Sequence, residues 1–354
     1  MRKIYLILIL ILTFLSLSLS GCSLNHSANQ LTQSVQPIKK LSYIKMVDEN
    51  SGWALSNTLV LKTNNGGIDW IKVTPAVFSD NSDISGFFLS EKIGWIAVHV
   101  PDASYIRIYG TQNGGIDWYE SKIQAQSSNS KMYFIDKEQG WLVTIGNAAA
   151  GYDPVSIFKT GDGGITWTHS SDVNTNGPKN GIYFKDNSNG WLTGQQPSGR
   201  TIYYITKDSG QSWNPRYFKV NQVNEDYFAT TFPPIFSDKS IGFLPVSYDS
   251  QNFHTIVYTS LDGGETWLET TPVNIHVNSF SIFSNTCWIS DGKELYRSDD
   301  LGKTWSKLND AISSDNILDL NFVNSQTGWA VGQEGLYKTT DSGLNWSKVE
   351  IKLK

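Results

Sequence analysis

Cysteine is nearly absent from this chain: Cys22 and Cys287 are the only two in 354 residues. Cys22 closes an N-terminal apolar run, so Cys287 has no partner within the folded part. No intrachain disulfide can staple the fold, and packing must supply its stability. Arginine is scarce as well. Beyond Arg2 there are four, Arg107, Arg200, Arg216 and Arg297. Removing Arg2 and Lys3 leaves 26 of the 28 basic residues against 33 acidic ones, a formal charge of -7. With no basic patch, nucleic acid is not an expected partner. No glycine-rich phosphate loop opens a helix, and no Cys/His spacing suits zinc. After residue 40 no stretch carries a helical period. Neither a cofactor nor a metal is expected.

The only long apolar run is at the N-terminus. Arg2 and Lys3 precede Ile4 to Leu19, which reads as a targeting segment rather than part of the fold. Leu19-Ser20-Gly21-Cys22 resembles a bacterial lipobox, with cleavage before a lipidated Cys22. The alternative is an uncleaved anchor with a chance cysteine. Two acyl chains hold a protein stably on a membrane. Residues 1–21 are thus expected to be a lipoprotein signal peptide. Residues 22–38, rich in Ser, Asn and Gln, are expected to be a flexible tether, and 39–354 the folded domain. The expected location is the extracytoplasmic face of the cell membrane, lipid-anchored.

What the chain has in abundance is tryptophan, and all thirteen keep one register. Seven close an eight-residue turn, as in Thr160 to Trp167, TGDGGITW. These are Trp70, Trp118, Trp167, Trp213, Trp267, Trp305 and Trp346. The third position of the turn is Asn65, Asn113, Asp162, Asp208, Asp262, Asp300 or Asp341. Such a side chain can accept backbone N–H groups of its own turn. The glycine two residues later suits a left-handed conformation. A structural role is expected for these residues; the alternative, Ca²⁺ binding, lacks the alternating acidic ligands of an EF-hand. The other six tryptophans, Trp53, Trp95, Trp141, Trp191, Trp288 and Trp329, lie upstream of the turns, with Phe243 in that place in the fifth copy. Seven residues earlier stands a third anchor: Met46, Phe88, Phe134, Phe184, Phe236 or Phe322, with Phe283 five residues earlier in the sixth copy. A recurrence every 40–50 residues means an array of supersecondary units. Each copy reads as four short strands, since Leu318, Leu320 and Phe322 alternate with polar residues.

The eight-residue turn matches the Asp-box (BNR) repeat, S/T-x-D-x-G-x-T-W. The Phe…Gly-Trp…Asp-box unit resembles that of the photosystem II assembly and stability factor family of plants and cyanobacteria. The resemblance runs over residues 41–353. It implies an all-β fold, a seven-bladed β-propeller of four-stranded antiparallel blades, expected to be a monomer. It also implies a protein-binding role in the assembly of a membrane complex. That family's proposed surface is Arg-rich, whereas this chain is Arg-poor.

Function is expected where the copies differ. The loop between the second and third strands is longest in copies 2 to 5, and the connection after Trp213 is the longest of its kind. These insertions share one face of a four-stranded meander, and repeat arrays commonly bind through such a face. The candidate partner-binding residues are Tyr105, Arg107, Tyr152, Arg200, Tyr203, Arg216, Tyr217, Tyr248 and His254, since Tyr and Arg dominate binding hot spots. Simple surface variation is the bland alternative. Asp boxes also occur in sialidases, but the arginine triad those enzymes need has little to draw on here. Paired carboxylates of another glycosidase could come from Asp102, Asp153, Glu225, Asp226 or Asp249. The expectation is therefore a non-enzymatic, lipid-anchored propeller binding an unidentified protein at the membrane or cell surface. The alternative is a propeller that binds or cleaves cell-wall glycan. Cys287, beside Trp288, is expected to be a packed core thiol.

Overall fold

The computed structural model describes residues 40–56, 59–75, 83–100, 103–125, 127, 129–146, 153–175, 177–196, 201–218, 228–249, 254–308, 312 and 315–354. The segments expected to be signal peptide and tether, with Cys22, lie outside them. Among the described residues there are only strands and turns, and no helix long and apolar enough to cross a membrane. Four sheets have four antiparallel strands in chain order, one has five strands and one has eight.

The sheets follow the sequence copies. In the third copy, Asn129–Phe134, Gly140–Ile145, Asp153–Thr160 and Thr168–Thr175 form one antiparallel sheet. The second strand is buried throughout, because sheets pack on both its faces. The hydrophobic core lies between successive copies. One cluster joins Trp95 and Ile108 of the second copy to Phe134 and Leu142 of the third. The next joins Trp141 and Ile157 to Phe184 and Leu192.

The three aromatic anchors meet at these seams. Trp95 stacks on Phe134 at 3.6 Å between ring centres, and Trp141 stacks on Phe184 at the same distance. The box tryptophan of the second partner then meets its own Phe edge-on, as Trp167 does Phe134 at 5.9 Å. Such aromatic pairs contribute about 0.5–1.5 kcal/mol each beyond area burial. The glycine before each upstream Trp follows from this packing. A Cβ on Gly140 would overlap the Phe134 ring. The upstream tryptophans are the more deeply buried set, Trp141 being fully enclosed. Of the box tryptophans only Trp70 is fully buried, while Trp167 and Trp346 are partly covered.

Each box is closed by its own side chains. In the third, Thr160 Oγ1 and the Thr166 N–H donate to Asp162 Oδ1 at 2.8 and 2.9 Å, and Thr166 Oγ1 donates to Oδ2 at 2.6 Å. These donors hold the Asp162 carboxyl below its ordinary range, against the opposing effect of burial. In the first two boxes the roles are exchanged. Asn65 Nδ2 donates to Asp69 Oδ2 at 2.9 Å, and Asn113 does the same to Asp117. An amide at the third position is thus matched by a carboxylate at the seventh. The fourth position is also left-handed, φ 76° at Gly163 and φ 69° at Ser342. The Gly163 N–H donates to the Glu138 carbonyl in the turn between the first two strands. Boxes and first turns therefore share one face.

Three expectations are corrected. Phe283 is not an anchor: it is 40% exposed. In the sixth copy Cys287 stands where a glycine would, and its register partner is Ile282, as Phe88 is the partner of Gly94. The larger residue on one strand is offset by the smaller on the other, and the thiol packs in the core with Phe243 and Ile289. Burial pushes the Cys287 thiol up, so it stays protonated. In the fifth copy the fourth strand is replaced by two isolated bridges, Thr259↔Leu268 and Thr255↔Val273. Pro272 interrupts the ladder because it has no N–H to give. The long connection after Trp213 is not wholly a loop either. Phe228–Thr231 pairs with Gln195 and Gln196 of the fourth copy and with Val246–Asp249 of the fifth. That strand fuses two copies into the eight-stranded sheet.

The first and last of the described strands meet in the first sheet. Lys352–Leu353 adds as a fifth, parallel strand beside Asp69–Lys72. Met46, Trp70, Trp329 and Leu336 share one cluster. The Ile44 and Met46 N–H groups donate to Asp319 Oδ2 and Asn321 Oδ1, at 2.9 and 2.7 Å.

Candidate functional site

Of the nine expected contact residues, the seven described ones do not form one surface. Tyr152 and Arg200 lie outside the described residues. Tyr203 and Tyr248 are 6% and 0% exposed. Both belong to one core cluster, and the Tyr248 and Tyr258 hydroxyls pair at 2.8 Å. A ring enclosed in this way cannot be presented to a partner. His254 stacks on Tyr248 at 5.2 Å. Tyr105 and Arg107 stand together on the third strand of the second copy, with Arg107 Nη2 donating to Tyr105 Oη at 3.3 Å. Arg216 and Tyr217 lie on the fourth strand of the fourth copy, and Tyr217 is 54% exposed. What remains exposed is thus divided between separate strands.

A second site emerges from the first strands. Segments of all seven copies, Tyr43–Lys45, Phe87–Leu89, Lys131–Tyr133, Asn180–Tyr183, Pro233–Ile235, Phe280–Ile282 and Asp319–Phe322, line one cavity of about 680 Å³. That volume suits a drug-sized ligand. The alternation of a strand explains which residues face it. In Asn129–Phe134, Ser130, Met132 and Phe134 are buried between sheets, while Lys131 and Tyr133 stay partly exposed. Tyr43 and Lys45 alternate in the same way. The cavity residues therefore stand one and three places before the buried anchor.

Its walls differ around the circumference. Phe87, Tyr133 and Tyr183 form an aromatic arc, with ring centres 5.1 and 4.6 Å apart. Opposite in chemistry is the part holding Tyr43, Lys45 and Asp319. Asp319 accepts the Ile44 and Leu320 N–H groups at 2.9 and 3.0 Å. Burial nevertheless raises its carboxyl to about 7. Burial also depresses the Lys45 amine, partly offset by the Asp319 charge. Lys131 is depressed by burial alone, with no carboxylate among the described residues offsetting it. Of the described residues lining the cavity, Lys45 and Lys131 are the cations and Asp319 the carboxylate.

The sequence carried a signal for this site that loop length hid. The anchors fix the register, so the residues one and three places before each of them could have been compared across copies. Among the described residues no cluster of His, Cys, Asp and Glu could hold a metal ion. The box carboxylates are instead taken up by donors of their own turns.

A family model described as BNR/Asp-box repeat matches residues 296–307. No curated protein sequence matches the chain. Among solved structures, "YCF48 bound to D1 peptide" is similar with a TM-score of 0.59 and 16% identity, over 87% of this chain and 93% of that one. The GH74 enzyme of Niastella koreensis gives 0.62 at 12% identity, over 89% of this chain and 54% of the enzyme. The chain thus spans about half the length of that enzyme. Saccharomyces cerevisiae Sqt1 gives 0.58 at 12% identity, over 89% and 86%. The likeness at these identities is one of fold, and the all-β chain with its BNR/Asp-box turns has the architecture of a β-propeller.

Proposed function

We propose that the chain is a seven-bladed propeller, anchored through a lipid on Cys22 at the extracytoplasmic face of the cell membrane, that binds another protein without catalysing a reaction. The observation that carries this reading is the division of labour within each copy. Anchors and boxes repeat the same contacts, while the cavity-facing positions of the first strands change from Lys to Phe to Tyr to Asp. A constant scaffold presenting unlike side chains to one cavity is built for recognition. Two further points support binding over glycan cleavage. Glycoside hydrolysis uses a pair of carboxyl groups flanking the bond, whereas Asp319 is committed to two backbone N–H groups. A similar structure of comparable length has a peptide bound.

Crosslinking in intact cells, with mass spectrometry of what is captured, tests the reading. A single protein partner, recovered again when the crosslinker position is changed, is the expected result. Release of sugar from purified cell wall by the pure protein would replace binding with hydrolysis. Metabolic labelling with a fatty-acid analogue tests the anchor. Label on the wild type that disappears in Cys22→Ser is expected, and equal label on both would remove the anchor from the proposal.

A further inference from the structure

The cavity combines three features that belong to different copies. Lys131 stands in the third copy with its amine partly withdrawn from water. Two residues on, Tyr133 shares its face and begins the contact with Tyr183, while Phe87 meets it from the second copy. Lys45 lies across the seam with the seventh copy, where Asp319 opposes it. Asp319 is already held by backbone N–H groups, and among the described residues lining the cavity Lys131 is the cation that no carboxylate offsets. A partly buried amine without a countercharge is costly unless an anion completes it. An aromatic wall beside it favours a ligand with a flat or apolar body rather than a bare inorganic ion.

We infer that this cavity takes an acidic, aromatic-bearing peptide segment of the bound protein, its carboxylate on Lys131 and its ring against Phe87, Tyr133 and Tyr183. This rests on the protein-binding reading and names the chemistry of its ligand.

The test uses fluorescein-labelled Gly-Asp-Tyr-Glu-Phe-Gly and its amide counterpart Gly-Asn-Tyr-Gln-Phe-Gly, with polarisation read against the folded protein. The acidic peptide is expected to bind at least tenfold more tightly than the amide one. Lys131→Met should lose that preference, while Lys131→Arg should keep affinity within about threefold. Tyr133→Ser should weaken both peptides alike, because it removes the wall and not the charge. Lys92→Ala, on the exposed turn of the second copy, should change nothing. Tryptophan emission of each variant establishes that it is folded. Equal affinity for the two peptides, or wild-type affinity in Lys131→Met, overturns the inference. So does an oligogalacturonate that displaces the acidic peptide at lower concentration than unlabelled peptide does. If Lys131→Met still crosslinks the cellular partner at wild-type yield and binds the acidic peptide as before, the cavity assignment fails and protein binding stands. If the wild type crosslinks no protein in cells, the protein-binding reading fails, and the peptide titration separately decides the cavity.

Discussion

The seam between the third and fourth copies and the seam between the last and the first solve the same problem by different means. At the former, Trp141 lies flat on Phe184 at 3.6 Å, and its Nε1 donates to the Ser209 carbonyl of the next box at 2.9 Å. At the latter, Trp329 keeps the hydrogen bond, to the Gly66 carbonyl at 3.0 Å. The ring it would stack on, however, is replaced by Met46. A thioether fills irregular space that a rigid ring would not. The lost stacking is offset by further bonds across this seam. Asp319 and Asn321 cap the edge N–H groups of the first strand. The C-terminal strand adds two backbone bonds, from Lys352 and Lys354 to the Ile68 and Trp70 carbonyls, each at 2.9 Å. Lys354 Nζ reaches Asp69 at 2.6 Å. An ordinary seam is held mainly by shape, with a few side-chain bonds such as those from Ser170 and Ser171 to the Gly210 carbonyl, and its copies are already joined by the chain. The closing seam has no chain across it, so it is held more by hydrogen bonds.

The largest expected effect comes from attacking the stack. Trp141→Ala should cost about 4 kcal/mol, as a large enclosed aromatic is lost from a packed core. Trp167→Ala, in the half-covered set, should cost less, about 2–3 kcal/mol. Urea unfolding followed by tryptophan emission would rank them, and equal costs would erase the distinction between the two sets.

Deleting residues 351–354 attacks the closing seam alone. Two backbone bonds and the partly buried Ile351 and Leu353 are lost, roughly 3 kcal/mol in all. Hydrogen exchange should then quicken in Leu41–Met46 and Asp69–Lys72 before it does in the third copy. Uniform quickening would mean that closure is not local to this seam.

The boxes beside that seam allow a sharper test. Asn65→Asp would set two carboxylates against each other at Asp69 and should cost about 2 kcal/mol. Adding Asp69→Thr restores the arrangement of the third box and should recover most of the loss. The same substitution also removes the partner of Lys354, which is exposed and worth little. A double-mutant cycle without coupling would refute the matched roles of the third and seventh positions.

The smallest effect is in pH, and it is specific to the closing seam. The Asp319 carboxyl is raised to about 7 by burial. A raised pKa gives stability that is present below the ordinary value and is lost as pH rises through about 7. Between pH 6 and 8 the loss should be about 1 kcal/mol, and Asp319→Asn should abolish that slope. The box carboxylates act in the opposite sense. Asp262 is lowered to about 2 by the Thr266 and Ser260 donors and backbone N–H groups, so its contribution holds above the ordinary value and is lost as pH falls through about 2. Denaturant midpoints measured from pH 3 to 8 should therefore rise and then fall, and the fall at the upper end should vanish in the Asp319 variant.

The sequence by itself determined the repeating unit, the strand character of most segments, the position of every box and most of the anchors. It could do so because each of those features depends on residues within one copy or on a fixed offset between copies. Glycine before Trp141, for instance, implies something pressing on that spot, and the anchor Phe134 is that object. The exchange of Gly and Phe for Cys287 and Ile282 was hidden, since it preserves volume across two strands and is visible only in their register. The burial of Tyr203 and Tyr248 was equally hidden, because a tyrosine in a long third strand or beside a loop reads the same whether its ring turns in or out. Only the tertiary structure decided how the ring closes, that Phe228–Thr231 sews two copies together, and that seven first strands bring Lys131, Tyr133, Phe87 and Asp319 around one cavity. These are contacts between residues tens to hundreds of positions apart, whose closeness comes from the summed geometry of the whole ring and from no local pattern.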